Sequence, residues 1–109
     1  MPDHTPRLAL PYLHVAQAQK EVTHNEALQR LDICVQCVVE DMRDAPPASP
    51  AEGACWLVSP SPAGDWSNHA GAIAQWTLGG WRFVDPFDGY QIWQRSAGFM
   101  LRHIGGSWS

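Results

Sequence analysis

Charge is scarce in this chain. Charged residues make up 17% of it, against 45% hydrophobic. A sequence that apolar and that weakly charged is not an intrinsically disordered one. The net charge of -4 and pI near 5.6 argue against an electrostatic nucleic-acid binder. No apolar run approaches the roughly 18 to 20 residues that cross a bilayer as a helix. The first seven residues hold Asp3, two prolines and no apolar stretch, so a Sec signal is not expected and synthesis in the cytoplasm is. At 109 residues there is core enough for one domain and almost none for a second.

Catalytic signatures are also missing. There is no P-loop, no G-x-G-x-x-G, no G-x-S-x-G and no pair of histidines at i, i+4 around a glutamate. The chain is therefore expected not to be an enzyme and to need no cofactor or metal. Three cysteines cannot all pair within one chain. Cys34 and Cys37 form a C-x-x-C, but no second such pair occurs downstream. They sit inside the apolar run from Ile33 to Val39 and read, with Cys55, as small buried hydrophobes. A redox or metal use is the lesser alternative, and a nucleophilic cysteine lesser still, because burial raises a thiol pKa.

What the sequence does have is tryptophan and proline, 6 and 9 respectively. All six tryptophans lie between Trp56 and Trp108. Acidic residues outnumber basic ones 8 to 4 up to Glu52, and the count is even, 3 and 3, beyond it. Two textures in one small chain predict an α+β fold: a short N-terminal helix, or two, packed on a small antiparallel sheet of hairpins. The expected organisation is an extended arm over 1–11 and one compact domain over 12–109, helical to 34 and β-rich from 35.

Spacing sets the individual elements. Pro2, Pro6 and Pro11 favour extended backbone, and Leu8 and Leu10 alternate, so the arm could lie along a partner. Residues 12–22 are rich in helix formers with a thin apolar stripe, and fit a short helix or an ordered loop. Thr23-His-Asn-Glu26 reads as a capping box, with Ala27, Leu28, Leu31 and Val35 at helical intervals after it, and predicts a helix over 24–33. Residues 35–42 alternate like a strand. Residues 45–53 form a proline-rich turn that feeds a strand at 55–58. A loop over 59–71 precedes strand-like segments at 72–78, 81–84, 90–94 and 99–104. Gly79-Gly80 and Gly105-Gly106 read as hairpin turns, each with an aromatic just beyond it. This is a weak internal repeat of one hairpin unit.

The tryptophans admit two readings. They fill the core of a small sheet, or some stack on sugar rings or anchor an interface. Trp66, in a Gly- and Asn-containing loop, is the one most expected at the surface. Trp66, Trp81 and Trp93 are the candidate stacking platforms, with Asp85, Asp88 or Asn68 for sugar hydroxyls. Asp85 and Asp88, flanking Pro86-Phe87, read first as turn residues. The candidate partner-facing residues are Leu8, Leu10, Tyr12, Gln17, Gln19, Lys20, His24 and Asn25, the long polar ones suited to backbone groups of a neighbour.

Leu10-Pro11-x-Leu13, Ala16-Gln-Ala-Gln-Lys20, Val22-Thr-His-Asn-Glu-Ala-Leu28 and Leu31-Asp32 look like the opening of a known family. So do Ala45 to Gly53, Trp56-Leu-Val58, Gly71-Ala-Ile-Ala74, Gly80-Trp81-x-Phe83 and the closing Gly105-x-x-Trp108. Glu21 and Cys55 depart from the usual residues. The likeness covers nearly the whole chain. The family it resembles is uncharacterised and is associated with tailed phages, prophages and alphaproteobacterial gene transfer agents. It has no established catalytic motif to carry over. The short form is similar to the head-spike base component of a gene transfer agent. That likeness implies a structural protein of a phage-like particle, with copies of itself, a capsid protein, a spike fibre and host capsular polysaccharide as partners, and neither nucleic acid nor membrane. Two functional classes result: a homo-oligomeric adaptor, and a carbohydrate-binding module.

Overall fold

The structure is a computed structural model and describes residues 3–14 and 20–109. Among the described residues one α-helix, α1 (Lys20–Cys34), precedes eight strands: β1 (Val38–Val39), β2 (Met42–Arg43), β3 (Cys55–Val58), β4 (Ile73–Thr77), β5 (Gly80–Val84), β6 (Gln91–Gln94), β7 (Phe99–Ile104) and β8 (Ser107–Trp108). The α+β architecture of a helix and antiparallel hairpins expected from the sequence is the one the chain adopts. The strands divide into two four-stranded sheets, ordered β2-β3-β4-β5 and β1-β6-β7-β8. Within them β1 runs parallel to β6 and β2 parallel to β3, so the sheets are not purely antiparallel.

The hairpins close as their turn residues dictate. Ile104 pairs with Ser107 across Gly105-Gly106, both glycines at positive φ, which suits the tight turn of a twisted ribbon. Thr77 pairs with Gly80 across Leu78-Gly79, and the Thr77 hydroxyl donates to the Gly80 carbonyl at 2.8 Å. The first half of the predicted 35–42 strand is a turn at Val35-Gln36. The second half is split between the two short strands β1 and β2, one in each sheet, separated by Glu40-Asp41.

In the β2-β3-β4-β5 sheet the central strands β3 and β4 are covered on both faces, and successive residues enter two different clusters. Cys55, Leu57, Ile73 and Val84 join Ile33, Cys37, Val39 and Ile92 in one apolar cluster. Trp56, Val58 and Ala74 join Trp66 in a second, with Trp76, Trp81 and Phe83 packed against it. Tryptophan thus supplies the bulk that a short chain otherwise lacks.

Helix α1 differs from its sequence expectation at both its start and its faces. It begins at Lys20, so Thr23 lies within the helix and does not cap it. The positions turned inward are Asn25, Leu28, Gln29, Asp32 and Ile33, at i, i+3, i+4, i+7 and i+8. Ala27, Leu31 and Val35, three of the four apolar positions of the predicted stripe, are exposed instead. The buried stripe is partly polar because it receives the N-terminal segment through hydrogen bonds.

That segment does not run out as an extended arm. Residues 3–12 fold back as a closed loop, with His4 and Pro11 bridged, the Thr5 N–H donating to the Leu10 carbonyl at 2.9 Å and the Tyr12 N–H to the Asp3 carbonyl at 2.9 Å. The physical reason is the pair Arg7 and Asp32. Helix α1 has no basic residue in its last turn. The Arg7 guanidinium supplies that charge from outside, donating to the carbonyls of Asp32, of Val35 at 3.2 Å and of Gln36 at 2.8 Å. In return the fully buried Asp32 carboxylate accepts the Leu8 N–H at 2.7 Å, the Arg7 N–H at 3.1 Å and the Gln75 amide of β4 at 2.9 Å. Gly53, at φ 86, leaves the space the loop needs: a Cβ there would stand 3.0 Å from the Pro6 Cβ.

Burial opposes ionisation of Asp32, but the Thr5 hydroxyl, the Leu8 N–H, the Gln75 amide and the Arg7 N–H outweigh it and hold the carboxyl below the usual carboxylate range. A depressed folded-state pKa gives stability that is full above the unfolded value, about pH 4, and is lost as pH falls through the folded one. Asp32→Ala strands three buried donors and is expected to cost about 3 kcal/mol or more in urea unfolding at pH 7. Asp32→Asn is expected to show a shallower loss of stability than wild type as pH falls below about 4, since that titration is gone.

Candidate functional site

Three regions hold the residues with functional potential: the N-terminal loop with α1, the tryptophan-built face of the β3–β4–β5 sheet, and the outer face of β6–β7. In the first, the partner-facing candidates separate. Leu8 and Leu10 are half-buried under their own loop, and His24 is exposed. Gln17 and Gln19 lie outside the described residues. Lys20 is the first residue of α1.

Tyr12 and Asn25 turn inward, against expectation. Tyr12 is 6% exposed and Asn25 4%. The Asn25 side chain imitates a strand partner for Leu13: its Oδ1 accepts the Leu13 N–H at 2.9 Å and its Nδ2 donates to the Leu13 carbonyl at 3.0 Å. It does bind backbone, as a long polar residue in this run was expected to, but the backbone is the chain's own. Asp32 was not singled out by sequence reasoning. The signal for it was its place two helical turns after Asn25 in the same stripe.

On the tryptophan face, Trp66 is corrected from surface candidate to core. The loop after β3 makes a 3-10 turn over Gly64–Trp66 and lays the indole, fully buried, edge-on against Trp81 at 5.2 Å between ring centroids. Trp81 is the hub of the cluster, with Trp76 at 5.1 Å and Trp56 at 5.8 Å. Its rings contact other rings, so it presents little face for a sugar. The loop is sealed further by His69 stacked on Phe83 at 3.6 Å. Asn68 sits at positive φ within this loop. Asp88 accepts the Gly105 N–H at 3.2 Å, a turn contact, and Asp85 is exposed.

On the outer face of β6–β7, Trp93 is 40% exposed and pairs across the strands with Met100, 49% exposed. Both line a groove of about 550 Å³ that reaches Val38, Gln36 and Cys34. Trp93 is therefore the one proposed stacking residue with an open face. The Tyr90 hydroxyl, at the same groove, donates to the Cys34 carbonyl at 2.5 Å. Burial pushes its pKa up, so it remains a donor.

The three cysteines are free thiols, with Cys37 and Cys55 in the apolar cluster and Cys34 at its margin. Burial pushes the Cys37 thiol up to about 11, only partly countered by the Arg7 charge, and pushes Cys55 up as well. Among the described residues no three of His, Cys, Asp and Glu gather as a metal site would require. Among them, too, no helix is long and apolar enough to cross a membrane.

These features define a small α+β domain with one aliphatic and one tryptophan core, whose polar signature residues are spent on docking its own N-terminal loop. The chain belongs to the family described as protein of unknown function DUF2793, whose pattern matches residues 24–109. No curated protein matches the chain.

Two measurements check this arrangement. Native alkylation by iodoacetamide at pH 8, with mass spectrometry as the readout, is expected to label Cys34 first, with Cys37 and Cys55 labelled only as fast as the protein opens. Trp66→Ala is expected to lower unfolding free energy by about 3–5 kcal/mol, with a red shift of tryptophan emission as the cluster loosens.

Proposed function

We propose that this chain is a structural component of a phage-like particle: the base of a gene-transfer-agent head spike, a homo-oligomeric adaptor that attaches a receptor- or capsule-binding fibre to the capsid. The resemblance of the 10–32 and 45–108 motifs supports the particle assignment. The observation that carries the adaptor reading is the outward face of α1. Ala27 and Leu31 lie one helical turn apart on one side of α1, Val35 follows them in the turn just past its end, and all three are exposed, while the inward side carries Asn25 and Asp32 beside Leu28 and Ile33. A helix that gives part of its inward side to an amide and a carboxylate while leaving aliphatic side chains in solvent suits contact with another apolar surface. Copies of the same chain and neighbouring particle proteins are the partners this reading assigns. The chemistry is joining through matched surfaces, with no covalent step.

The carbohydrate-module reading retains Trp93, whose half-open ring beside Met100 still offers a stacking face.

Size-exclusion chromatography with light scattering tests the adaptor. The wild-type chain at micromolar concentration is expected to run as a multiple of 12.1 kDa, and the double variant Leu31→Glu/Val35→Glu as a folded monomer by circular dichroism. A wild-type monomer that also fails to join particles on reconstitution overturns the reading.

A further inference from the structure

The outward side of α1 carries charge as well as aliphatic groups. Glu26 and Arg30 are both exposed and stand one helical turn apart. At 3.6 residues per turn they fall together on one flank of Ala27, and Leu31 falls on the other. A glutamate four residues before a basic residue can pair with it inside one helix. Here neither Glu26 nor Arg30 forms an ion pair among the described residues. Both charges are left to meet a partner.

We propose that a second copy of this chain packs on the outward side of α1 with the two helices antiparallel, related by a two-fold axis that crosses between Ala27 and Leu31, so that Glu26 of each copy faces Arg30 of the other. The proposal rests on the adaptor reading and gives that surface its occupant and its geometry.

The order of the residues selects this arrangement. A two-fold axis maps one patch onto itself, so that residue i meets j wherever j meets i. Reversal about a point between Ala27 and Leu31 brings the small residue of one copy to the level of the large residue of the other. It brings Val35, in the turn past the helix end, to the level of Thr23. The operation keeps each flank on its own side of the contact. The flank with Glu26 and Arg30 therefore meets the same flank reversed, and a negative-then-positive order is complementary to its own reversal. Parallel helices would set Glu26 beside Glu26 and Arg30 beside Arg30, and like charges in contact oppose association. One patch thus supplies both halves of the charge match, which singles out a second copy as the partner. α1 has 15 residues, about 22 Å of helix, so the pair belongs with the smaller interfaces and its charge contacts are screened by salt.

Sedimentation equilibrium of the whole chain at low ionic strength, over a concentration series, tests the arrangement. Wild type is expected to form a reversible dimer. Glu26→Arg and Arg30→Glu each replace two opposite-charge contacts by two like-charge ones, and each is expected to weaken the dimer at least tenfold. An equimolar mixture of the two variants puts arginine opposite glutamate at both contacts again, and is expected to associate as tightly as wild type. The variant carrying both changes in one chain is expected to do the same. Both positions are exposed, and circular dichroism confirms that each variant is folded. A wild-type dimer as tight as all four samples leaves the adaptor reading standing and overturns this geometry. Single variants as tight as wild type, with a mixture tighter than either, mean parallel helices and overturn it too. A wild-type chain that stays monomeric up to millimolar concentration overturns the geometry and self-association together.

Discussion

The Asp32 carboxylate holds together three parts of the chain that no apolar contact alone would keep in register. It is fully buried, it sits on α1, and it accepts hydrogen bonds from the N-terminal loop and from β4. A buried charge is tolerable only when its lone pairs are occupied, and here backbone N–H groups occupy them. The reciprocal contact, Arg7 on the carbonyls at the end of α1, places the compensating charge within the same junction. Helix, loop and sheet are thereby made conditional on one another. The loop cannot leave without exposing an ionised group and the open end of a helix.

The two apolar cores divide the remaining work by residue type. Aliphatic and cysteine side chains fill the space between α1 and both sheets, where close packing of small groups is needed. Indole rings fill the opposite side, where only a loop is available as cover. Large rings let a short loop complete a core, because one inserted Trp66 replaces what would otherwise be another element of secondary structure.

Much of the β-rich half was legible in the sequence. Two-residue alternation and the glycine turns placed β3, β4, β5, β6 and β7 within a residue or two, because those strands obey local rules of turn chemistry and pleat. The helix was legible in its existence but not in its orientation. Ala27, Leu31 and Val35 advertise a stripe by hydrophobicity, while the true inward face carries Asn25 and Asp32 beside Leu28 and Ile33. Their burial is made favourable by partners 12 or more positions away in sequence, which no local pattern records. Trp66 failed for the same reason. Its glycine-flanked loop has the composition of a surface segment, and only the ring cluster beneath it explains its burial. Likewise the prolines of the first eleven residues favour extended backbone, but Arg7 and Thr5 bend them into a closed loop.

The segment from Val38 to Arg43 leaves one sheet and enters the other within six residues. Val39 takes an N–H from Arg95 of the β6 side, and Arg43 one from Ser59 of the β3 side. The hydrogen bonds of a parallel pair run across the strands, so a pull along the strands loads them together, and here two such pairs are placed in series on a single piece of backbone. Tension applied across this crossover is therefore carried by both pairs at once, and the link gives way at the weaker of the two. The crossover makes the molecule a single mechanical link rather than two plates hinged at a loop.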